Sequence, residues 1–306
     1  MERKVVVILG PTASGKTLTA ISLAKELSSE VISADSRQVY RFLDIGTAKP
    51  SVDELNKVKH HFIGTLTPDE DFNVSRFEED SLEIIRRLHK EGKIPVVAGG
   101  SGLYIKALVE GISTTAATDE ELRLEIKTKL ETLGREHLYE ELKIVDPKAA
   151  STMLPQNYKR VMRALEVFHL TGRSILEHHE EYERNLDFQF LQFGLNWQRD
   201  VLYRNIEKRV DEMIESGLVD EVKSILQMGY SKDLNSLNTV GYKEIILHLS
   251  GEISLERAVE LIKRNTRRYA KRQMTWFRRN TQINWFDIHS LDDLLSIPEK
   301  ILRFFQ

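Results

Sequence analysis

The residues Gly10-Pro11-Thr12-Ala13-Ser14-Gly15-Lys16-Thr17 fit G-x-x-x-x-G-K-[ST], the pattern of a phosphate-binding loop. Glycines let the backbone curl so that successive N–H groups face an anion, and a helix N-terminus adds partial positive charge. Lys16 supplies a cation and Thr17 a hydroxyl suited to Mg²⁺. The chemistry is diphosphate binding, and the motif alone does not say that the diphosphate belongs to ATP. Asp35 closes a second apolar run, Val31 to Ala34. It suits three roles: a Mg²⁺ ligand as in P-loop NTPases, a general base beside the phosphate, or a buried or capping carboxylate. Spacing alone leaves all three open. Ser101 follows Gly99-Gly100 and precedes an apolar helical run, so it suits a helix N-cap and lies at the same strand edge as the glycine loop.

The elements that must position these groups alternate. Val5 to Leu9 is a continuous apolar, β-branched run, the mark of a central parallel strand. Thr17 to Leu27 has helical spacing. Val31 to Ala34 and Ile94 to Ala98 read as further strands, and Leu103 to Leu108 as a helix. Strands alternating with helices predict an α/β fold, a P-loop NTPase-like parallel sheet with its ligand beyond the carboxyl ends of the strands. The small polar stretch Ser113 to Thr118 reads as a hinge. Helical patterns then run through Leu122–Leu133, His137–Ile144 and Lys159–Leu170, which predicts an α-helical insertion domain over 113–187. Phe188 to Leu195 returns to the sheet, and the remainder reads as helical, ending in a long helix from Ser254 to Arg279. The catalytic core is thus expected over 1–112 and 188–306.

Composition narrows the classes. The chain has 306 residues and no cysteine, which removes disulfides, thiolate catalysis, cysteine zinc sites and iron–sulfur clusters. The longest apolar run is far short of a membrane span, so a soluble, cytoplasmic protein is expected. Lys and Arg number 44 against 47 acidic residues, a net charge of −3. The distribution is uneven. No acidic residue lies between Leu261 and Phe286, where Lys263, Arg264, Arg267, Arg268, Lys271, Arg272, Arg278 and Arg279 crowd together. Soluble helices usually pair such cations with i,i+4 carboxylates, so this block predicts phosphate contact. Arg264, Arg268, Arg272 and Arg279 share a stripe, while Tyr269, Trp276 and Phe277 read as core. Trp197 and Trp285 also read as core. Adjacent His60-His61 and His178-His179 would point apart on a helix, which argues against zinc.

Longer strings resemble a known family, the tRNA dimethylallyltransferases. They are the phosphate loop itself, Asp35-Ser36-Arg37-Gln38-Val39-Tyr40, Asp44-Ile45-Gly46-Thr47-Ala48-Lys49-Pro50 and Gly99-Gly100-Ser101-Gly102-Leu103-Tyr104. Arg163-Ala164-Leu165-Glu166-Val167, Val240-Gly241-Tyr242 and Ala270 to Trp276 add to them, in family order across nearly the whole chain. The resemblance implies transfer of a dimethylallyl group from dimethylallyl diphosphate to N6 of adenosine 37 of tRNA, beside the anticodon. The phosphate loop would then hold an allylic diphosphate and release pyrophosphate, with Lys16, Mg²⁺ at Thr17 and an arginine matching Arg209 neutralising it. Asp35 would take the proton of the exocyclic amine. The resemblance further implies tRNA contacts at Asp35, Ser36, Arg37 and Gln38, at Ser101, and at Arg123, Lys159, Arg160 and Arg163. It adds Asn238, Gly241, Tyr242 and Lys243, and the basic helix adds Arg272. Gln38 offers both donor and acceptor to an adenine edge. Ser101 departs from the family pattern, where threonine is expected; the hydroxyl is kept. The protein is expected to act as a monomer.

Three rival readings make different predictions. A P-loop small-molecule kinase would turn over ATP. An adenylate isopentenyltransferase would use free nucleotides and have no need of the basic helix. A non-catalytic RNA-binding module would bind tRNA without Lys16.

Overall fold

The computed structural model describes residues 3–111, 119–180 and 184–305. The hinge expected at Ser113 to Thr118 lies outside them. The chain divides into two compact units, Met1–Val109 with Leu186–Gln306, and Glu110–Asn185.

The first unit is built on β1 (Arg3–Leu9), whose residues Val5 to Leu9 are fully buried. Such a run has no polar face to offer water, so it settles between neighbours and under helices on both sides. Chain order continues with α1 (Lys16–Glu26), β2 (Val31–Ala34), α2 (Val52–Leu55), β3 (His60–His61), α3 (Val74–Lys90), β4 (Val96–Gly99) and α4 (Gly102–Glu110). The second unit holds α5 (Glu120–Val145), α6 (Pro147–Ser151), α7 (Tyr158–Thr171) and α8 (Ile175–Glu180). The first resumes with β5 (Phe188–Trp197), α9 (Arg199–Glu215), α10 (Leu218–Gln227), α11 (Tyr242–Leu249), α12 (Leu255–Phe277), β6 (Asn284–Ile288) and α13 (Leu291–Leu302). The six strands form one parallel sheet in the order β3-β2-β4-β1-β5-β6.

One face of the sheet packs Ile8, Val31 and Leu195 against α1 and α13, and the other packs Leu9, Ile32 and Val97 against α3 and α4. A third apolar cluster joins α9 to α12 to the segment after β2 through Val39, Leu43, Val210, Leu237, Tyr242 and Ile262. The parallel topology puts the carboxyl ends of β1, β2 and β4 side by side, so the phosphate loop, Asp35 and Ser101 emerge at one edge. In the second unit, Ile126, Leu138, Leu142, Val161 and Leu165 form a separate core. The break expected between Leu133 and His137 falls at Gly134, whose φ of 86° lies outside the helical region.

Three expectations are corrected. The remainder after Leu195 is not all helical: Asn284–Ile288 adds a sixth strand, paired with Phe193 to Trp197 of β5. His60-His61 lie on β3, not on a helix, in register with Val31 and Ile32. Strand residues point to opposite faces, so the pair still cannot converge on one ion. His61 Nε2 instead sits 2.7 Å from Glu30 Oε2. The cations of α12 are not all unpaired: Lys263 meets Asp211 at 2.6 Å and Arg267 meets Glu207, both on α9. Those carboxylates are distant in sequence, which is why the acid-free run suggested none.

Candidate active site

The phosphate loop joins β1 to α1. Ala13 (φ 62°) and Gly15 (φ 88°) both take left-handed backbone, which turns the chain around an enclosed space. Gly15 stands at the N-cap of α1 and provides no side-chain hydrogen bond, so the first amides of the helix stay available to an anion. A side chain at Gly15 would also collide with Leu294 of α13. Trp197 holds the loop from β5, its Nε1 donating to the Ser14 carbonyl at 3.0 Å. Gln273 holds it from α12: the Thr12 amide donates to Oε1 at 2.9 Å, and Nε2 donates to the Gly100 carbonyl at 2.8 Å.

Lys16 donates from Nζ to the Pro11 carbonyl at 2.6 Å. Burial first, and the nearby Arg209 second, push its ammonium down to about 7, while Asp35 acts in the opposite sense. Burial likewise lowers the Arg209 guanidinium. Two cations held close together in a buried site are unstable without an anion between them. That is the electrostatic signature of a site built for a highly charged ligand.

Asp35 leaves the end of β2 into a tight turn. Its Oδ1 accepts from the amides of Arg37 (2.8 Å) and Gln38 (3.3 Å), and no described residue donates to Oδ2. Ser101 braces the same turn, its hydroxyl accepting from the Ser36 amide at 3.1 Å. The Ser101 side chain thus links the ends of β2 and β4, while its carbonyl accepts from the Ile105 amide of α4 at 3.1 Å. Gln38 donates from Nε2 to the carbonyls of Thr47 (3.2 Å) and Ala48 (3.1 Å), while Ser33 donates to its Oε1 at 3.3 Å. These bonds brace the turn.

The Asp44 to Pro50 string, legible only as a pattern, has a physical basis in Glu221. This carboxylate of α10 accepts from the amides of Asp44 (3.0 Å), Ile45 (2.7 Å) and Gly46 (3.1 Å) and from the Tyr242 hydroxyl (2.6 Å). Gly46 is required because a Cβ there would enter the Tyr242 ring. Lys49 ties off the loop through the Tyr40 carbonyl (2.7 Å) and Asp44.

These pieces enclose a cavity of about 400 Å³. Thr12, Ala13, Lys16, Thr17 and Arg209 line its phosphate end, and Asp35, Ser36, Arg37 and Gln38 line the wall beside it. Asn238, Gly241, Lys243 and Arg272 close the remainder. Tyr269, read as core in the sequence, also lines it; burial, then the charge of Asp35, raise its hydroxyl, so it stays protonated. Trp276, read as core too, is 38% exposed. The Tyr242 side chain, by contrast, is fully buried. In the helical unit Arg123, Lys159 and Arg160 are exposed on α5 and α7, while Arg163 donates to the buried Glu166 at 2.8 Å. Gln273 and Glu221 were not foreseen as functional residues. Gln273 lies inside the Ala270 to Trp276 string and Glu221 in no string, but neither has local spacing that would announce its contact with a distant loop.

Fold and site define an α/β protein whose phosphate loop and adjacent carboxylate share one cavity. Residues 38–280 match the IPP transferase family, and the chain belongs to that family. It is 45% identical to the tRNA dimethylallyltransferase of Alkaliphilus oremlandii, over 100% of this chain and 98% of that one. It is 46% identical to that of Acetivibrio thermocellus, over 98% and 95%. Among solved structures, the tRNA isopentenylpyrophosphate transferase of Bacillus halodurans is 41% identical with a TM-score of 0.72, covering 99% of this chain and 96% of that one. A eukaryotic dimethylallyltransferase acting on tRNA has a TM-score of 0.85 at 29% identity, over 98% of this chain and 77% of that one.

Proposed function

We propose that this chain transfers a dimethylallyl group from dimethylallyl diphosphate to N6 of adenosine 37 of tRNA, releasing pyrophosphate. One observation carries the reading: the phosphate loop with Lys16 and Arg209, and the carboxylate of Asp35, face the same cavity. The family membership and the tRNA-prenylating relatives agree with it.

The chemistry follows from what each group can do. The allylic C1–O bond breaks readily because the developing cation is delocalised, provided the departing diphosphate is neutralised. Lys16, Arg209 and the loop amides neutralise it in a water-poor space, where fixed charges act most strongly. The N6 lone pair is conjugated with the adenine ring, so the amine is a poor nucleophile. As N6 forms its bond to C1, Asp35 Oδ2 takes the proton, a contribution typically of ~10²–10⁴ in rate. The Asp35 turn is held by Oδ1, which keeps the other oxygen aimed.

The residues fit Mg²⁺ of the kind that accompanies diphosphates. Thr17 and Lys16 both line the cavity, and no group of three or more His, Cys, Asp or Glu is gathered among the described residues. One protein hydroxyl together with diphosphate oxygens and water suits that ion, which seldom uses an all-protein cage. When bound there it would supply further neutralisation of the leaving diphosphate. Arg123, Lys159, Arg160 and Arg163 would bring the helical unit to the anticodon stem-loop, and the target base would be extruded to reach Asp35.

The test uses purified protein, Mg²⁺ and labelled dimethylallyl diphosphate, offered tRNA or AMP, ADP and ATP in separate reactions. Label in tRNA alone supports the reading. Label in free nucleotides, or ATP hydrolysis without transfer, refutes it.

A further inference from the structure

A second cavity of about 450 Å³ adjoins the first, and Asn238 and Lys243 line both. Lys232, Arg264 and Asn265 complete its polar wall, with Leu237, Leu247 and Leu261 beneath. Two of its three carboxylates are engaged. Glu244 accepts from the Gly241 amide and from Asn265 Nδ2, both at 2.8 Å, and Glu252 accepts from the Ser250 hydroxyl at 2.8 Å. Asp233 is the third.

Arg264 stands apart. Its Nε is buried with no hydrogen-bond partner, and it makes no ion pair with any described residue. Arg264 also lines the cavity, so its guanidinium is a cation at the cavity wall whose charge no described carboxylate neutralises, free to meet an anionic acceptor from outside. Arg268 and Arg272 continue the stripe at i+4 and i+8, a rise of about 6 Å per step, and neither has a carboxylate partner among the described residues. Lys263 and Arg267, toward α9, are both neutralised. The fold thus pairs Lys263 and Arg267 and leaves Arg264, Arg268 and Arg272 as a file of arginines without carboxylate partners among the described residues. The file leads from Arg272 in the first cavity to Arg264 in the second.

We infer that the second cavity is a subsite for the phosphodiester of a nucleotide flanking the reacting adenosine, with Arg264 as its phosphate ligand. The inference rests on the tRNA-prenylation reading. The ligand is single-stranded RNA: an extended strand places successive phosphates along a file of cations, whereas a free nucleotide would occupy one cavity only. Planar guanidinium groups suit the task because they bind phosphate oxygens two at a time.

The test measures binding of an anticodon stem-loop RNA to the full chain at several salt concentrations. Wild type, Arg264→Gln, Arg264→Lys and a control, Lys25→Gln on α1, are compared. The RNA is also prepared with single methylphosphonate linkages on either side of the target adenosine. Arg264→Gln is expected to bind about tenfold more weakly, with a salt slope lower by ~0.7 and unchanged affinity for inorganic pyrophosphate. It should be indifferent to the one methylphosphonate that weakens wild type most. Arg264→Lys should recover part of the loss, and Lys25→Gln should match wild type. Unchanged RNA affinity and undiminished sensitivity to every methylphosphonate in Arg264→Gln, with RNA prenylation intact, would overturn the subsite alone. Prenylation of free nucleotides in place of RNA by wild type would overturn the functional reading, and the subsite with it.

Discussion

Gln273 of α12 is bonded to Thr12 of the phosphate loop, the Thr12 amide donating to its Oε1 at 2.9 Å. The same side-chain amide donates to the Gly100 carbonyl at 2.8 Å, and a Cβ at Gly100 would collide with it. One buried amide therefore locks the basic helix to the phosphate cradle and to the end of β4. Replacing it with leucine strands a partly buried amide and a buried carbonyl. We expect Gln273→Leu to lose ~2–3 kcal/mol of stability and to bind pyrophosphate more weakly, as read by denaturant unfolding and calorimetry. An unchanged pyrophosphate affinity would show that α12 does not set the shape of the loop.

Glu221 and Tyr242 act as one unit beneath the Asp44 to Pro50 loop. Tyr242→Phe removes a single neutral donor and should cost ~1 kcal/mol, whereas Glu221→Ala strands three amides and should cost ~3 kcal/mol. Because they share the bond, the double variant should lose less than the sum. Additive losses in chemical unfolding would contradict this coupling.

Lys16 predicts a specific pH dependence. Its ammonium is pushed down to about 7 by burial and by Arg209. The unfolded chain therefore holds more protons between about pH 7 and the ordinary lysine value, so stability from this group rises with pH across that window. Diphosphate binding runs the other way, because the ligand needs the charged form. Above about pH 7 wild type should take up a proton on binding pyrophosphate and lose roughly tenfold in affinity per pH unit. Calorimetry in buffers of different ionisation enthalpy reads this directly, and Lys16→Met corrects for the titration of pyrophosphate itself. Equal proton uptake by the two proteins would contradict the assignment.

What was legible in the sequence was what is local in the chain. The phosphate loop declares itself because strand, glycines, lysine and helix are contiguous, and Asp35 because it ends an apolar strand. The parallel sheet was legible from Val5 to Leu9, since only a strand covered on both faces tolerates such a run. The edge strand Asn284–Ile288 was not, because it is short, follows a polar turn and takes its partner from β5. The contacts of Gln273, Glu221 and the Lys263–Asp211 pair were invisible for a related reason. Their partners lie far off in the chain, and single polar residues on amphipathic helices look like surface until the fold buries them. Tyr269 was misread because an aromatic on a helix stripe looks the same whether it meets core or a cavity.

In the proposed reaction the fixed carboxylate of Asp35 and the diphosphate cradle act on one transfer. The decisive measurement is single-turnover transfer of labelled dimethylallyl to tRNA by wild type and Asp35→Asn, with pyrophosphate affinity measured alongside. A fall of ~10²–10⁴ in the transfer rate is expected, with pyrophosphate binding nearly unchanged. A rate close to wild type, or a loss traced wholly to weaker pyrophosphate binding, would contradict it.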